Sequence, residues 1–292
     1  METSFNIPEE VLNEHFEFYF IKSLKYYPER YINLVMNPGF DMPTHVAYLC
    51  PMCAKNIIFL DSSGSLRTSG EFNKDHYPAK SVGGRNIILL CTKCNSEAGY
   101  KFDFTLKQHL EVVRFSKKVP NSGMKTKTTV EGLKGYFNSR LLINEKGEYE
   151  FLDKTDPTYS IPHLDEHFKK NPDFPFNITY CVPDNTKIQK ALLHAAYLYC
   201  FEKFGYEFVF SDAGELIRKV LKDEEEYPAD TIDLNLDSKN HLDTLPIGVS
   251  FISKPMDLQS LVAVIELFDK DSGYKCLKIV LIPNQRKTEF KI

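Results

Sequence analysis

Four cysteines stand in two close pairs, Cys50-x2-Cys53 and Cys91-x2-Cys94, with 37 residues between the pairs. Each pair can place two soft thiolates on one metal ion from a tight turn, and two pairs close a tetrahedron around Zn²⁺. A saturated four-sulfur site has no open position, so this spacing predicts a structural zinc. The alternative is two unrelated pairs of buried thiols. Cys181, Cys200 and Cys276 are isolated and read as small buried hydrophobes. The spacer is longer than a zinc ribbon requires, so something substantial is inserted between the two pairs.

The insert carries "DHYPAKSVGG", with Asp75 next to His76, then Asn86 at the start of "NIILLC", and Asn95 directly after the second cysteine pair in "CTKCNSEAG". On these residues the chain resembles the HNH endonucleases, whose catalytic unit is the ββα-metal fold, here with a four-cysteine, zinc-ribbon-like structural site. The resemblance covers roughly residues 46–115. It implies that His76 is the general base for the attacking water. Asp75 and Asn95 would hold one divalent cation against the scissile phosphate, and Asn86 would orient the His76 ring from the facing strand. Many members carry His where this chain has Asn95, although some active relatives have Asn. An amide oxygen is a harder and weaker ligand than imidazole, which favours Mg²⁺ or Mn²⁺ over Zn²⁺ or Ni²⁺ as the catalytic ion.

The implied chemistry is coherent. An unperturbed imidazole titrates near pH ~6.5, so a neutral base is available in a cell. Gly83 and Gly84 suit a tight turn between two strands. Lys80, Arg85 and Lys93 are candidates for contacts to flanking phosphates, with surface solubility as the competing role. The formal net charge of -4 gives no reason of its own to expect nucleic acid. The segment from Cys50 to Val130, however, holds 13 Lys and Arg against 6 Asp and Glu, a local basic footprint in an acidic chain.

The elements that position these residues are legible to different degrees. The start, with Pro8, Val11, Leu12, Phe16, Tyr19, Phe20 and Leu24, has helical period, and "PERYINLVM" suggests a second helix. "NIIFL" reads as a strand, and "YKFDFTLKQHLEVVRF" as a helix whose apolar side includes Phe104, His109, Val112 and Val113. "SKKVPNSGMKTKTTVEG" lacks apolar period and reads as a domain boundary. Beyond it come a hairpin turning near Lys146-Gly147, a strand at "FNITYCV", and a regular helix from "DNTKIQ" to Gly205. That helix has a core stripe of Ile188, Leu192, Ala195 and Tyr199. A helix near "AGELIRKVL" and strands at "LQSLVAVIELF" and "YKCLKIVLI" complete the chain.

The plan that follows is α+β. It has an N-terminal helical segment over 1–45, a nuclease domain with its four-cysteine site over 46–118, a linker over 119–131, and an α+β regulatory or interaction domain over 132–292.

Several classes are disfavoured. His163 and His167 in "HLDEH" have the wrong order for a metalloprotease and no evident third ligand. GxxxxGK[ST], GxGxxG and GxSxG do not occur. No apolar run reaches the ~18 residues of a membrane span, and "METSFNIPEEVLNEH" has no signal-peptide core. A reducing, cytoplasmic setting is expected.

The leading expectation is therefore a metal-dependent endonuclease with structural Zn²⁺ and catalytic Mg²⁺ or Mn²⁺. Its substrate would be nucleic acid, with DNA ahead of RNA, and a regulatory protein partner could dock on the C-terminal domain. Bacterial HNH proteins of this kind often serve in mobile elements or anti-phage defence. The rival is a non-cutting zinc-containing protein that binds nucleic acid or acts as a scaffold.

Overall fold

The computed structural model describes residues 47–60, 66–132, 134–153, 166, 169–170, 175–226, 233–236, 246–252 and 260–282. The expected N-terminal helices and the two histidines of "HLDEH" lie outside this set. The described chain is α+β and divides into two compact units. One is drawn from Met1–Leu106, Asn185–Phe268 and Lys275–Ile292, the other from Lys107–Asp184 and Asp269–Tyr274.

The first unit begins with a three-stranded antiparallel sheet, β1 (Ala47–Leu49), β2 (Ile57–Leu60) and β3 (Leu66–Thr68). The turn between β1 and β2 holds the first cysteine pair. A separate hairpin follows, β4 (Phe72–Tyr77) and β5 (Asn86–Cys91), running in register from Phe72 opposite Cys91 to Tyr77 opposite Asn86.

The chain between the hairpin strands is shaped by its glycines. Gly83 has φ of 86°, and a Cβ there would sit 2.6 Å from the Phe268 side chain. A Cβ on Gly84 would lie 1.5 Å from the carbonyl oxygen of Pro78, so only glycine fits this crossing. The tight turn expected from "GG" is present.

From Thr92 a single run of helix leaves the hairpin. It comprises α1 (Thr92–Ala98), a π-helical turn (Gly99–Asp103) and α2 (Phe104–Ser116), whose first three residues complete this part of the first unit.

The core of the unit is α3 (Asn185–Phe204). Every residue from Ala191 to Phe201 is buried, a stretch of eleven without a formally charged side chain. The stripe of Ile188, Leu192, Ala195 and Tyr199 is indeed buried, but over Ala191–Phe201 the helix is covered all round, as an uncharged stretch of this composition should be. Two short helices, α4 (Tyr206–Val209) and α5 (Asp212–Leu221), turn back against it. Ser211 caps α5 by accepting from the Gly214 N–H at 3.1 Å. A four-stranded antiparallel sheet, whose three later strands pack on α3, completes the unit.

In chain order the strands of the second unit are β6 (Gly123–Val130), β7 (Phe137–Ile143), β8 (Tyr149–Asp153) and β9 (Phe176–Tyr180), in spatial order β8-β7-β6-β9. The remaining strands, β10 (Asp233–Leu236), β11 (Gly248–Ile252), β12 (Ser260–Phe268) and β13 (Lys275–Leu281), form the α3-facing sheet of the first unit in the order β10-β13-β12-β11.

Three expectations are corrected here. The linker over 119–131 contains β6, the middle of a sheet. Its inward positions include Thr126 and Thr128, whose hydroxyls each meet Ser139 Oγ at 2.7 Å. A buried face made partly of hydrogen-bonded hydroxyls carries no apolar period, so the segment resembles a loop in sequence. The separate domain over 132–292 does not form either, because from Asn185 the chain rejoins the cysteine-bearing unit. Finally, Phe104 is 57% exposed and lies outside the apolar side proposed for its helix.

Candidate metal centre and acidic site

Two sites occupy neighbouring parts of the first unit. In the first, the four sulfurs of Cys50, Cys53, Cys91 and Cys94 all lie within 4.8 Å of one another, close enough to hold one metal ion. Local backbone geometry puts them there. Cys50 and Cys53 share a turn closed by the Ala54 N–H donating to the Cys50 carbonyl at 2.8 Å, with Ala54 in the left-handed region at φ 51°. Cys91 ends β5 and stands at the N-cap of α1, and Cys94 is in the first turn of that helix. The Cys91 N–H points at Cys50 Sγ at 3.4 Å, as a donor that stabilises a thiolate ligand should. Hydrogen bonding among the sulfurs, led by Cys50, holds the Cys53 thiol below its ordinary range and the Cys91 thiol down to about 6. Burial pushes Cys50 up, and bonding from Cys50 does the same to Cys94. Sulfurs this close repel each other as thiolates, and a cation is what allows all of them to be deprotonated together.

The cysteine turn is fastened to the C-terminal part of the chain by buried tyrosines. Tyr197 donates to the Pro51 carbonyl at 2.7 Å, and Tyr206 pairs with the backbone of Leu49 at 2.6 Å. Tyr48 reaches the Leu89 carbonyl on β5 at 2.7 Å. Burial raises the Tyr197 hydroxyl to about 12, so it remains a donor at any cellular pH. None of these anchors lies within the cysteine motifs. Of the three isolated cysteines, Cys200 is buried as expected, Cys276 is half-buried and Cys181 is exposed.

The second site lies where β4 meets the helix. Asp75 is only 5% exposed. Its Oδ1 accepts the His76 backbone N–H at 2.8 Å, while its buried Oδ2 has no hydrogen-bond partner. Burial first, and then the nearby charge of Asp103, push the Asp75 carboxyl up to about 7. Asp103, at the end of the π turn, is raised by burial to about 6.

Asn95, in α1, donates from Nδ2 to the Lys74 carbonyl at 3.3 Å. This bond ties the Asn95 side chain to the backbone of β4 and leaves its carbonyl oxygen out of that bond. Asn73 Nδ2 donates to Thr92 Oγ1 at 3.3 Å, a second tie between strand and helix. His76 is half-buried next to Asp75.

Asp75 and His76 are neighbours on β4 with their side chains on opposite faces of the strand, Asn95 is tied to the Lys74 carbonyl beside them, and Asn86 is placed differently from the family expectation. Asn86 lies opposite Tyr77, and Ile87 opposite His76. Side chains alternate along a strand, so Asn86 shares a face with Tyr77 and Asp75 and not with His76. The hydrogen bond that Asn86 makes goes to Glu202 Oε2 on α3, at 3.4 Å, and not to the imidazole. On the same face Tyr77 packs edge-on against Tyr199 at 5.1 Å.

Lys80, Arg85 and Lys93 are all exposed. Lys80 and Arg85 sit in the connection between β4 and β5, and Lys93 in the first turn of α1. Sequence reasoning passed over Asp103 and Glu202. Asp103 stands in the predicted helix with no motif to mark it, and Glu202 lies 116 residues from its partner.

Compared with family models, curated proteins and solved structures, the chain matches none. Among the described residues no helix is long and apolar enough to cross a membrane.

Proposed function

We propose that the protein is a metal-dependent endonuclease of the HNH kind that hydrolyses phosphodiester bonds, with DNA ahead of RNA as substrate. The observation that carries this reading is Asp75: a carboxylate buried to 5% exposure, with one oxygen unpartnered, directly beside a histidine. A buried carboxylate without a partner is costly unless a cation or proton meets it. The order of a hairpin followed at once by a helix, with Asp75 on the first strand and Asn95 on the helix, is what a ββα-metal site requires.

Asp75 and Asn95 offer hard oxygen donors, which suit Mg²⁺ or Mn²⁺. Bound there, such an ion would offset negative charge on the scissile phosphate and on the leaving oxygen. His76 takes a proton from the attacking water as general base. Asn95 is held at the strand by Lys74, so its oxygen is positioned before substrate arrives. Lys80, Arg85 and Lys93 engage phosphates on either side of the cut. The four cysteines hold a structural Zn²⁺, since two knuckles and a closed sulfur set leave it no position for substrate. The basic surface alone would also serve a non-cutting binder, but such a binder has no use for a buried Asp75.

The test is supercoiled plasmid and, separately, RNA incubated with the purified protein in Mg²⁺, in Mn²⁺ and without added divalent cation. Nicking or linearisation that requires the cation supports the reading. Tight binding with intact substrate in every condition contradicts it.

A further inference from the structure

The strand Gly123–Val130 alternates along its length, and one of its two faces is open to solvent. Met124, Thr126, Thr128 and Val130 point inward, and Thr126 and Thr128 share the hydroxyl of Ser139 across the β6–β7 pair. Those bonds fix the register, in which Lys125 stands directly opposite Arg140 and Lys127 opposite Asn138. Residues opposite one another share a face, so Lys125, Lys127 and Arg140 all stand on the outward one. Each of the three is exposed. Thr129, Asn138, Asn177 and Thr179 extend the same face with exposed, uncharged polar groups. Among the described residues the acid that joins it is Glu150 at the β8 side, whose carboxylate accepts from Asn144 Nδ2 at 2.9 Å. The helix α2 meets the other face, where the Phe115 ring lies 5.7 Å from that of Tyr149, opposite the inward Ile143.

Two cations set directly opposite each other across a strand pair cost stability. Among the described residues none of Lys125, Lys127 and Arg140 has an acidic partner, whereas Arg114, Lys190 and Lys275 each do. Lys127 lies over the ring of Tyr136 at 4.8 Å, and that ring is 47% exposed. Gly123 makes room for Arg140, since a Cβ there would sit 3.0 Å from Arg140 Nε. The guanidinium chain therefore runs along the sheet. Lys125 and Lys127, two residues apart on one strand, are spaced by about 6.8 Å. An open face with three uncompensated cations and an exposed aromatic ring suits a nucleic-acid strand, whose phosphates meet the cations and whose bases can stack on the ring. Lys125 and Lys127 are also part of the basic surplus between Cys50 and Val130, a part that the candidate cutting site does not use.

We propose that the outward face of the β8-β7-β6-β9 sheet is a nucleic-acid-binding surface, on which Lys125, Lys127 and Arg140 engage the phosphodiester backbone. The proposal rests on the reading of the protein as one that acts on nucleic acid, and it gives the second unit a part in holding the substrate. Duplex and single strand share the chemistry this face recognises.

The experiment uses the full-length, zinc-loaded protein without added divalent cation, so that the probe stays intact. Fluorescence anisotropy follows a labelled DNA duplex and, separately, a labelled single strand over a range of salt concentrations. Lys125→Gln/Arg140→Gln is expected to bind about 10- to 100-fold more weakly, with the slope of log affinity against log salt smaller by about 2. It should melt at or above the wild-type temperature, because the opposed charges are gone. Lys127→Gln touches neither member of the opposed pair, should lower the slope by about 1, and keeps the test sound if the double variant fails to fold. Lys219→Gln, which removes a charge paired with Glu215 on α5, should bind like wild type. A loss on either probe supports the assignment and names the form that the face takes. Wild-type affinity and slope in both sheet variants, or an equal loss in Lys219→Gln, would overturn the assignment and leave the nuclease reading standing. A wild-type protein that binds neither probe would overturn both.

Discussion

The Asn86 amide donates to the Glu202 carboxylate at 3.4 Å, joining the second strand of the β4–β5 hairpin to a helix 116 residues further along the chain. With Tyr77 against Tyr199 on the same face, this fastens the candidate site to the buried helix α3. The hairpin is thus supported by the C-terminal part of the chain, and a fragment ending near residue 118 would lack that support.

Glu202→Ala should free the Asn86 amide and destabilise the protein by about 0.5–1.5 kcal/mol, the worth of an ordinary hydrogen bond. Glu202→Gln keeps an acceptor oxygen and should recover most of that loss. Denaturant titration of the two variants checks the difference.

Asp75 makes stability depend on pH in a definite direction. Its folded carboxyl titrates at about 7, above the ordinary value of 3.8, so the folded state binds the proton more tightly than the unfolded state. The penalty is therefore absent below about pH 4, grows between there and pH 7, and is fully present above. Without added divalent cation, Asp75→Asn should melt above wild type at pH 8, and the advantage should shrink toward pH 5. Added Mg²⁺ should raise the melting point of wild type at pH 8 and leave the variant unchanged.

The cysteine cluster should carry one tightly held metal ion per chain, and elemental analysis of the purified protein checks both identity and count. Cys91→Ser should lose that metal together with much of the fold. Structural zinc contributes on the order of 10 kcal/mol in small domains, as much as the whole net stability of most of them.

Gly84→Ala places a methyl 1.5 Å from the Pro78 carbonyl oxygen, so the connection between β4 and β5 must shift. A loss of about 1–3 kcal/mol is expected, as for other overpacked positions. Urea unfolding measures it. On the proposed function, plasmid cleavage should fall as well, because Lys80 and Arg85 ride on the same connection.

How much of this was legible in the sequence differs between the two sites. The cysteine pairs were readable because a closed sulfur site demands a fixed spacing within each pair, and the same unit of sequence builds the turn. Asp75, His76 and Asn95 stand in a sequence pattern, but the pattern does not show that Asp75 and His76 face opposite sides of β4. The hairpin turning at Gly147 and the strands β12 and β13 were clear from alternation and from their turn residues. The strand over Gly123–Val130 was missed because Thr126, Thr128 and Ser139 satisfy each other's hydroxyls inside the sheet, which no apolar period can signal. Asp103 and Glu202 were missed for a different reason. Asp103 acts on β4 and Glu202 on β5 across segments distant in sequence, and neither relation is written in local spacing. The face carrying Asn86 follows from strand register, which the motif alone does not fix.

The central claim is that His76 and Asp75 form a cutting site distinct from the cysteine cluster. The most direct measurement is plasmid cleavage in Mg²⁺ by His76→Ala beside wild type, with metal content and melting temperature recorded for both. The account expects cleavage to fall by at least about 10²-fold, the usual contribution of a general base, while the cysteine-bound metal and the melting temperature stay as in wild type. Wild-type cleavage rates from a folded, metal-replete His76→Ala protein would contradict it.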